Sequence, residues 1–291
     1  MHIVLHIGVH CTDEDRLLKC LLQNTDKLGE EGIVVPETGR YRPVIRETLQ
    51  VLKDDDASDE MRQTLLDALV DDDDARRVVL SHDSFLGVPG RAIKENALYP
   101  MVGKRGSRLR NLFANSTMEI FLGLRNPATF IPAVFARAKE PDFATFLGGS
   151  DPMLLRWSDM IARLRNALPD APVTVWCNED TPLIWHDLLQ RLSGHDEFTL
   201  LDGRDDFYGE IMSKTGLTRM QSYLKAHPPQ NELQLRRILS AFLDKFAIED
   251  ALEEEIDLPG WDEAYIDRLT EQYDADVALI PDIDGVTFIA P

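Results

Sequence analysis

The residues best placed to do chemistry fall in four short segments: 8–15, 81–85, 125–127 and 178–180. In the first, Gly8, His10 and Thr12 lie between an apolar run and a leucine-rich stretch. A strand, a turn and a helix start in that order hold anions, because unpaired amides and the helix dipole both point at the same spot. Arg125 offers a fixed positive charge that can bind phosphate or pair with an acid such as Asp83 or Glu179. Asp83, at the end of another apolar run, can cap the next turn. Against an anion stand Asp13, Glu14 and Asp15, three carboxylates in one loop. Each close like-charge contact costs on the order of 1 kcal/mol or more even when partly screened.

Other chemistries are less well served. His2, His6 and His10 recur every four residues beside Cys11. On a strand His2 and His6 share a face, but His10 lies beyond Gly8 in the turn, so no metal site is expected. Cys11 at a helix start would have a lowered pKa, yet its acidic neighbours push the other way, which argues against a thiolate nucleophile. The acid runs Asp54–Asp56, Asp71–Asp74 and Glu253–Glu255 read as solvated helix ends or loops. Asp71–Asp74 lacks the alternating ligands and glycine of a calcium loop. Trp157, Trp176, Trp185 and Trp261 sit in apolar-periodic segments and read as packing residues.

These segments need elements to position them. Residues 3–7, 77–80, 118–124 and 173–177 are short, apolar and β-branched, and each ends at one of the four polar segments. Between them lie stretches with helical spacing at 13–28, 42–70, 107–114, 128–138, 151–167 and 183–192, the first with Thr12 or Asp13 as N-cap. Residues 32–36 suggest a second strand or an extended turn, and 198–201 a small strand. Strands that are apolar throughout and alternate with helices predict an α/β fold, a central parallel sheet flanked by helices. Ligands of such sheets bind beyond the carboxyl ends of the strands, where all four segments would meet. Beyond residue 202, 205–230 reads as an exposed excursion, 234–252 and 262–272 as helices, and 277–291 as an extended, partly buried return. One domain is expected, with a core at about 1–202 and a helical and extended addition at 203–291.

Composition narrows the partners. With Asp+Glu 51 against Lys+Arg 31 the formal charge is −20, and most of such a surface repels nucleic acid and anionic lipid. No apolar run reaches bilayer length, and the opening MHIVLHIGVH lacks the basic start and small-residue cleavage site of a signal peptide. Three cysteines at unrelated spacings imply neither a disulfide framework nor structural zinc, so a reducing, cytoplasmic setting is expected.

The loop Leu5-His6-Ile7-Gly8-Val9-His10-Cys11-Thr12-Asp13-Glu14-Asp15-Arg16-Leu17 resembles the opening of bacterial sulfotransferases, H-I-G-x-x-K-T-G-T-T-x-L-Q, at His6, Ile7, Gly8, Thr12 and Leu17. Gly32-Ile33 with Pro36 is similar to that family's G-I-x-x-P, Val79–Asp83 to its strand ending S-S-E, and Arg125-Asn126-Pro127 to its R-D/E-P. The resemblance implies a P-loop-like fold that moves a sulfuryl group from 3′-phosphoadenosine 5′-phosphosulfate (PAPS) to a hydroxyl or amine. It implies Gly8, His10, Thr12 and Arg125 at the donor and Asp83 as base. The sequence departs from the pattern at both anion sites. Cys11 stands for the loop lysine, Asp13 for its glycine, Glu14 and Asp15 for its hydroxyls, and Ala133 for the serine eight positions after the arginine. Ordinary use of PAPS is therefore expected to be lost. The acids at the helix start would stand in for the phosphate, each contributing a few tenths of a kcal/mol to about 1 kcal/mol. Two alternatives stay open. One is an active sulfotransferase on a carbohydrate or other small acceptor, with Lys104, Arg105 or Arg108 replacing the lysine. The other is a module binding a cation at Asp13, Glu14 and Asp15, or a protein partner or second copy.

Overall fold

The computed structural model describes residues 1–53, 55–71, 74–252, 256 and 258–291. Six parallel strands form one sheet in the order β2-β3-β1-β6-β7-β8. They are β1 (His2–His6), β2 (Ile33–Val34), β3 (Arg77–Ser81), β6 (Thr117–Leu124), β7 (Val173–Cys177) and β8 (Val286–Ile289). The remaining two, β4 (Ile93–Lys94) and β5 (Ala97–Leu98), make an antiparallel hairpin. Its turn residues Glu95 and Asn96 both have positive φ, as a two-residue hairpin turn requires.

All four long strands read from the sequence lie in this sheet. β1 pairs with β3 on one side and β6 on the other, and β6 pairs with β7. Along β1, Ile3 and Leu5 enter one core and Val4 the other, the alternation that pleating imposes. The first core is covered by the helices Thr38–Leu52, Val102–Leu112, Pro127–Arg137, Trp157–Ala167 and Glu263–Val277. The second lies under Arg16–Leu22, Thr181–Ser193, Lys214–Ala226 and Glu232–Phe246. Helices on both faces leave the strands dry on each side, which is why their sequences are apolar throughout.

Several local expectations are corrected. The stretch 42–70 is two helices, Thr38–Leu52 and Asp59–Leu69, the second capped by the Ser58 hydroxyl on Met61 N. Residues 198–201 form no strand: Phe198 and Leu200 are 83% and 62% exposed, so nothing packs on their apolar side chains. The excursion expected at 205–230 contains the helix Lys214–Ala226, whose Met220 is fully buried. The tail returns as β8, hydrogen-bonded to β7. Asp55, Asp56, Asp71 and Asp74 are exposed, in line with the solvated reading, while Asp54, Asp72, Asp73 and Glu253–Glu255 lie outside the described residues. Among the described residues no helix is long and apolar enough to cross a membrane.

One cap ties the helix Glu263–Val277 to the helix Trp157–Ala167. Asp276, 3% exposed, accepts from Trp157 N at 2.6 Å and Ser158 N at 3.2 Å, and from the Ser158 hydroxyl. It serves the N-terminus of the helix Trp157–Ala167 from another element. Asp276→Ala should therefore destabilise the chain by about 1–2 kcal/mol, read as a lower urea midpoint with an unchanged slope. No shift in midpoint would show that water replaces the cap at no cost.

Candidate functional site

In the strand order, the connection after β1 runs to one side of the sheet and that after β6 to the other, so the switch point lies between these two neighbours. That is where open parallel sheets take their ligands. The loop after β1 crosses the opening. Its amide Val9 N donates to Gly123 O at 3.0 Å, and Gly123 N to Gly8 O at 2.8 Å. Gly8 has φ +107, and a Cβ there would stand 3.2 Å from the Asp83 backbone, so only glycine lets the ends of β1 and β3 meet. Cys11, Glu14 and Asp15 also have positive φ.

The loop separates two cavities. The larger, about 630 Å³, is lined by Asp13, Glu14, Arg125, Glu179, Trp185 and Asp244 among others. The smaller, about 280 Å³, is lined by His6, Gly8, Asp13, Arg42, Asp83 and Arg137 among others. Four of the five residues expected at the site thus face a cavity: Gly8, Thr12 and Asp83 the smaller, Thr12 and Arg125 the larger. His10 does not. It is fully buried, stacks on Tyr99, and bonds the Tyr99 hydroxyl through Nδ1 at 2.6 Å. Its ring is held in the interior by a tyrosine 89 residues away.

The other polar groups are largely engaged. Thr12 donates its hydroxyl to Val9 O at 2.8 Å. Arg125, 7% exposed, donates to Cys11 O and to the Thr129 hydroxyl at 3.1 Å. The two acids considered as its partners are held elsewhere. Asp83 pairs with Arg137 at 3.1 Å, and Glu179 accepts from Asn126 N at 2.7 Å and the Tyr273 hydroxyl at 3.1 Å. Burial pushes the Asp83 carboxyl up, but the His10 ring, the Arg137 guanidinium and the Ser84 hydroxyl hold it below the usual carboxylate range. It is ionised, and a weak base.

The three loop acids part company. Asp15 forms a two-armed pair with Arg42, at 2.7 and 3.1 Å, and Arg42 also donates to Ser81 O. Glu14 faces Arg137 at 3.6 Å. Only Asp13 reaches the helix, where Oδ1 accepts from Leu17 N at 2.9 Å. Its Oδ2 has no hydrogen-bond partner, and burial pushes the Asp13 carboxyl up to about 7. The expectation that all three stabilise the helix dipole is therefore corrected: one acid bonds the helix, and burial works against its charge. Nor do the three converge on a cation. Among the described residues no group of three or more His, Cys, Asp or Glu side chains is placed to hold a metal ion.

Arg137 was missed by sequence reading. Its Nη1 lies 3.8 Å from Cys11 Sγ, so a positive charge stands beside the loop at Cys11. Arg137 ends the helix Pro127–Arg137 that begins just after Arg125, and only folding brings it back over the loop. The replacements considered earlier lie elsewhere: Arg105 and Arg108 line a neighbouring cavity of about 290 Å³ with His82 and Ser84. Burial raises the Cys11 thiol pKa, against a nucleophilic role. Burial also lowers the His6 and His82 imidazoles to about 4, so both are neutral near pH 7. Trp157, Trp176 and Trp185 are at most 2% exposed, as packing residues should be, although Trp185 also stacks on Phe207 at 4.5 Å beside the larger cavity.

Comparison of the chain with protein-family models, with curated proteins and with solved structures finds no match in any of the three.

Proposed function

We propose that this chain is a sulfotransferase-like protein whose phosphosulfate loop is closed on its own side chains, so that PAPS is not used by the ordinary route. The observation that carries this reading is the engagement of the loop: Asp15 is clamped by Arg42, and the Arg125 guanidinium is spent on Cys11 O. A nucleotide phosphate would have to displace both while facing Asp13, Glu14, Glu179 and Asp244 in the larger cavity. The crevice then serves another small molecule, a carbohydrate among the candidates, or a protein partner. The three free, buried thiols fit a cytoplasmic setting.

A second reading, an active PAPS-dependent sulfotransferase with Asp83 as base, is favoured by one feature. Arg137 supplies a cation near the place the family gives to lysine, while Asp83 stands ionised across the smaller cavity. One titration separates the two. Calorimetry with adenosine 3′,5′-bisphosphate should give a dissociation constant weaker than about 100 μM, because charge-assisted bonds are missing at both phosphates. Low-micromolar binding would reject the closed-loop reading and favour the enzyme.

A further inference from the structure

A second concave surface lies away from the loop, between the helices Lys214–Ala226 and Glu232–Phe246. The groove encloses about 620 Å³. Its walls are apolar and aromatic, with Tyr223 from the first helix and Ile238, Phe242 and Phe246 from the second. On the second helix the groove residues fall at 234, 237, 238, 241, 242, 245 and 246, which is one face at helical spacing. On the flank of the same helix, Leu235 and Leu239 are buried in the core.

The rim is basic. Arg219, Arg237 and Lys245 line the groove, and among the described residues no carboxylate does. In a chain of formal charge −20 that contrasts with other arginines nearby: Arg236 on the same helix pairs with Asp187, and Arg16 with Glu210. Arg219 and Lys245 instead lie over the Phe246 ring, at 5.7 and 5.5 Å. Among the described residues none of these three cations has a carboxylate within ion-pair distance. Tyr223 is 43% exposed at the same surface.

We infer that this groove is a binding site for a soluble amphipathic anion, an apolar chain or ring system carrying one carboxylate. The apolar walls exclude water from the body of such a ligand, and the cations of the rim meet its head. A cavity of this size falls within the range of small-molecule sites, about 300–1,000 Å³.

The probe is sodium decanoate, titrated by calorimetry into the full chain. Binding is expected below about 100 μM, with affinity rising roughly fourfold per added methylene from octanoate to dodecanoate. Decylammonium, equal in length and opposite in charge, should bind at least about tenfold more weakly. Neutralising the rim with Arg219→Gln, Arg237→Gln and Lys245→Gln together should weaken decanoate about tenfold or more. All three side chains are exposed, so the fold is retained, and a melting curve checks it. Ala241→Trp, at an exposed groove position, should abolish binding by filling the space. Equal affinity for decylammonium, or an unchanged constant in the triple variant, would overturn the site. So would co-sedimentation with phosphatidylglycerol vesicles without binding of free decanoate, or a dimer that Ala241→Trp dissociates, since these put a lipid surface or a second copy in the groove.

Discussion

The Asp13→Asn variant should gain stability over the parent chain as pH rises from 5 to 8, by roughly 2–3 kcal/mol. Asp13 has its folded pKa raised from 3.8 to about 7, with burial as the main cause. The folded state therefore favours the neutral carboxyl. Stability from this group is fully present below the unfolded value of 3.8 and is lost as pH climbs through about 7. Asparagine carries no charge to bury and keeps an oxygen for Leu17 N, so its stability does not follow that loss. Urea midpoints for both chains at pH 5, 6, 7 and 8 measure the difference directly. A difference that is flat across this range would mean that Asp13 is solvated, and the loop would then not be closed as described. A falling difference would mean that the ionised carboxylate is stabilised, as a helix-capping anion would be.

Replacing Arg125 with glutamine should cost about 2–4 kcal/mol of stability and lower the melting temperature by roughly 4–10 °C. The guanidinium is nearly inaccessible and donates to Cys11 O and Thr129 Oγ1, while the backbone oxygen of the same residue accepts from Trp157 Nε1 at 3.0 Å. The shorter amide cannot span these partners. It leaves the Cys11 carbonyl unpaired in a buried place, where a lost partner costs far more than an average hydrogen bond. The variant also separates the two readings of the site. If Arg125 serves chiefly as a phosphate ligand, Arg125→Gln should leave unliganded stability unchanged and remove only the protection conferred by sulfate or the bisphosphate. A stability loss without ligand, and no ligand response in either chain, is the outcome the closed loop requires.

Much of the scaffold was legible in the residues themselves. The runs at 3–7, 77–80, 118–124 and 173–177 are apolar on successive positions because both faces of a parallel strand are covered by helices. Their ends had to meet at one edge of the sheet, and Gly8, Thr12, Asp83 and Arg125 do line cavities there. Local chemistry was readable at the first helix, where Asp13, one of the two expected caps, accepts from Leu17 N four residues on. The break of 42–70 into two helices at the Ser58 cap was not. The small strand expected at 198–201 failed because local apolar character does not say whether a partner strand is within reach.

The residues alone thus imply the four long strands of the sheet, the edge where polar loops gather, and the excess of acid in one of them. What those loop residues do is set by contacts that form on folding. His10 turns inward because Tyr99 waits in the core, Asp15 is neutralised by Arg42, and Arg137 returns over Cys11 from the far end of a helix. Each of these is a pairing between segments well apart in the chain. Charge, burial and pKa belong to the assembled neighbourhood, so a run of three carboxylates can be repulsive on paper and mostly paired once folded.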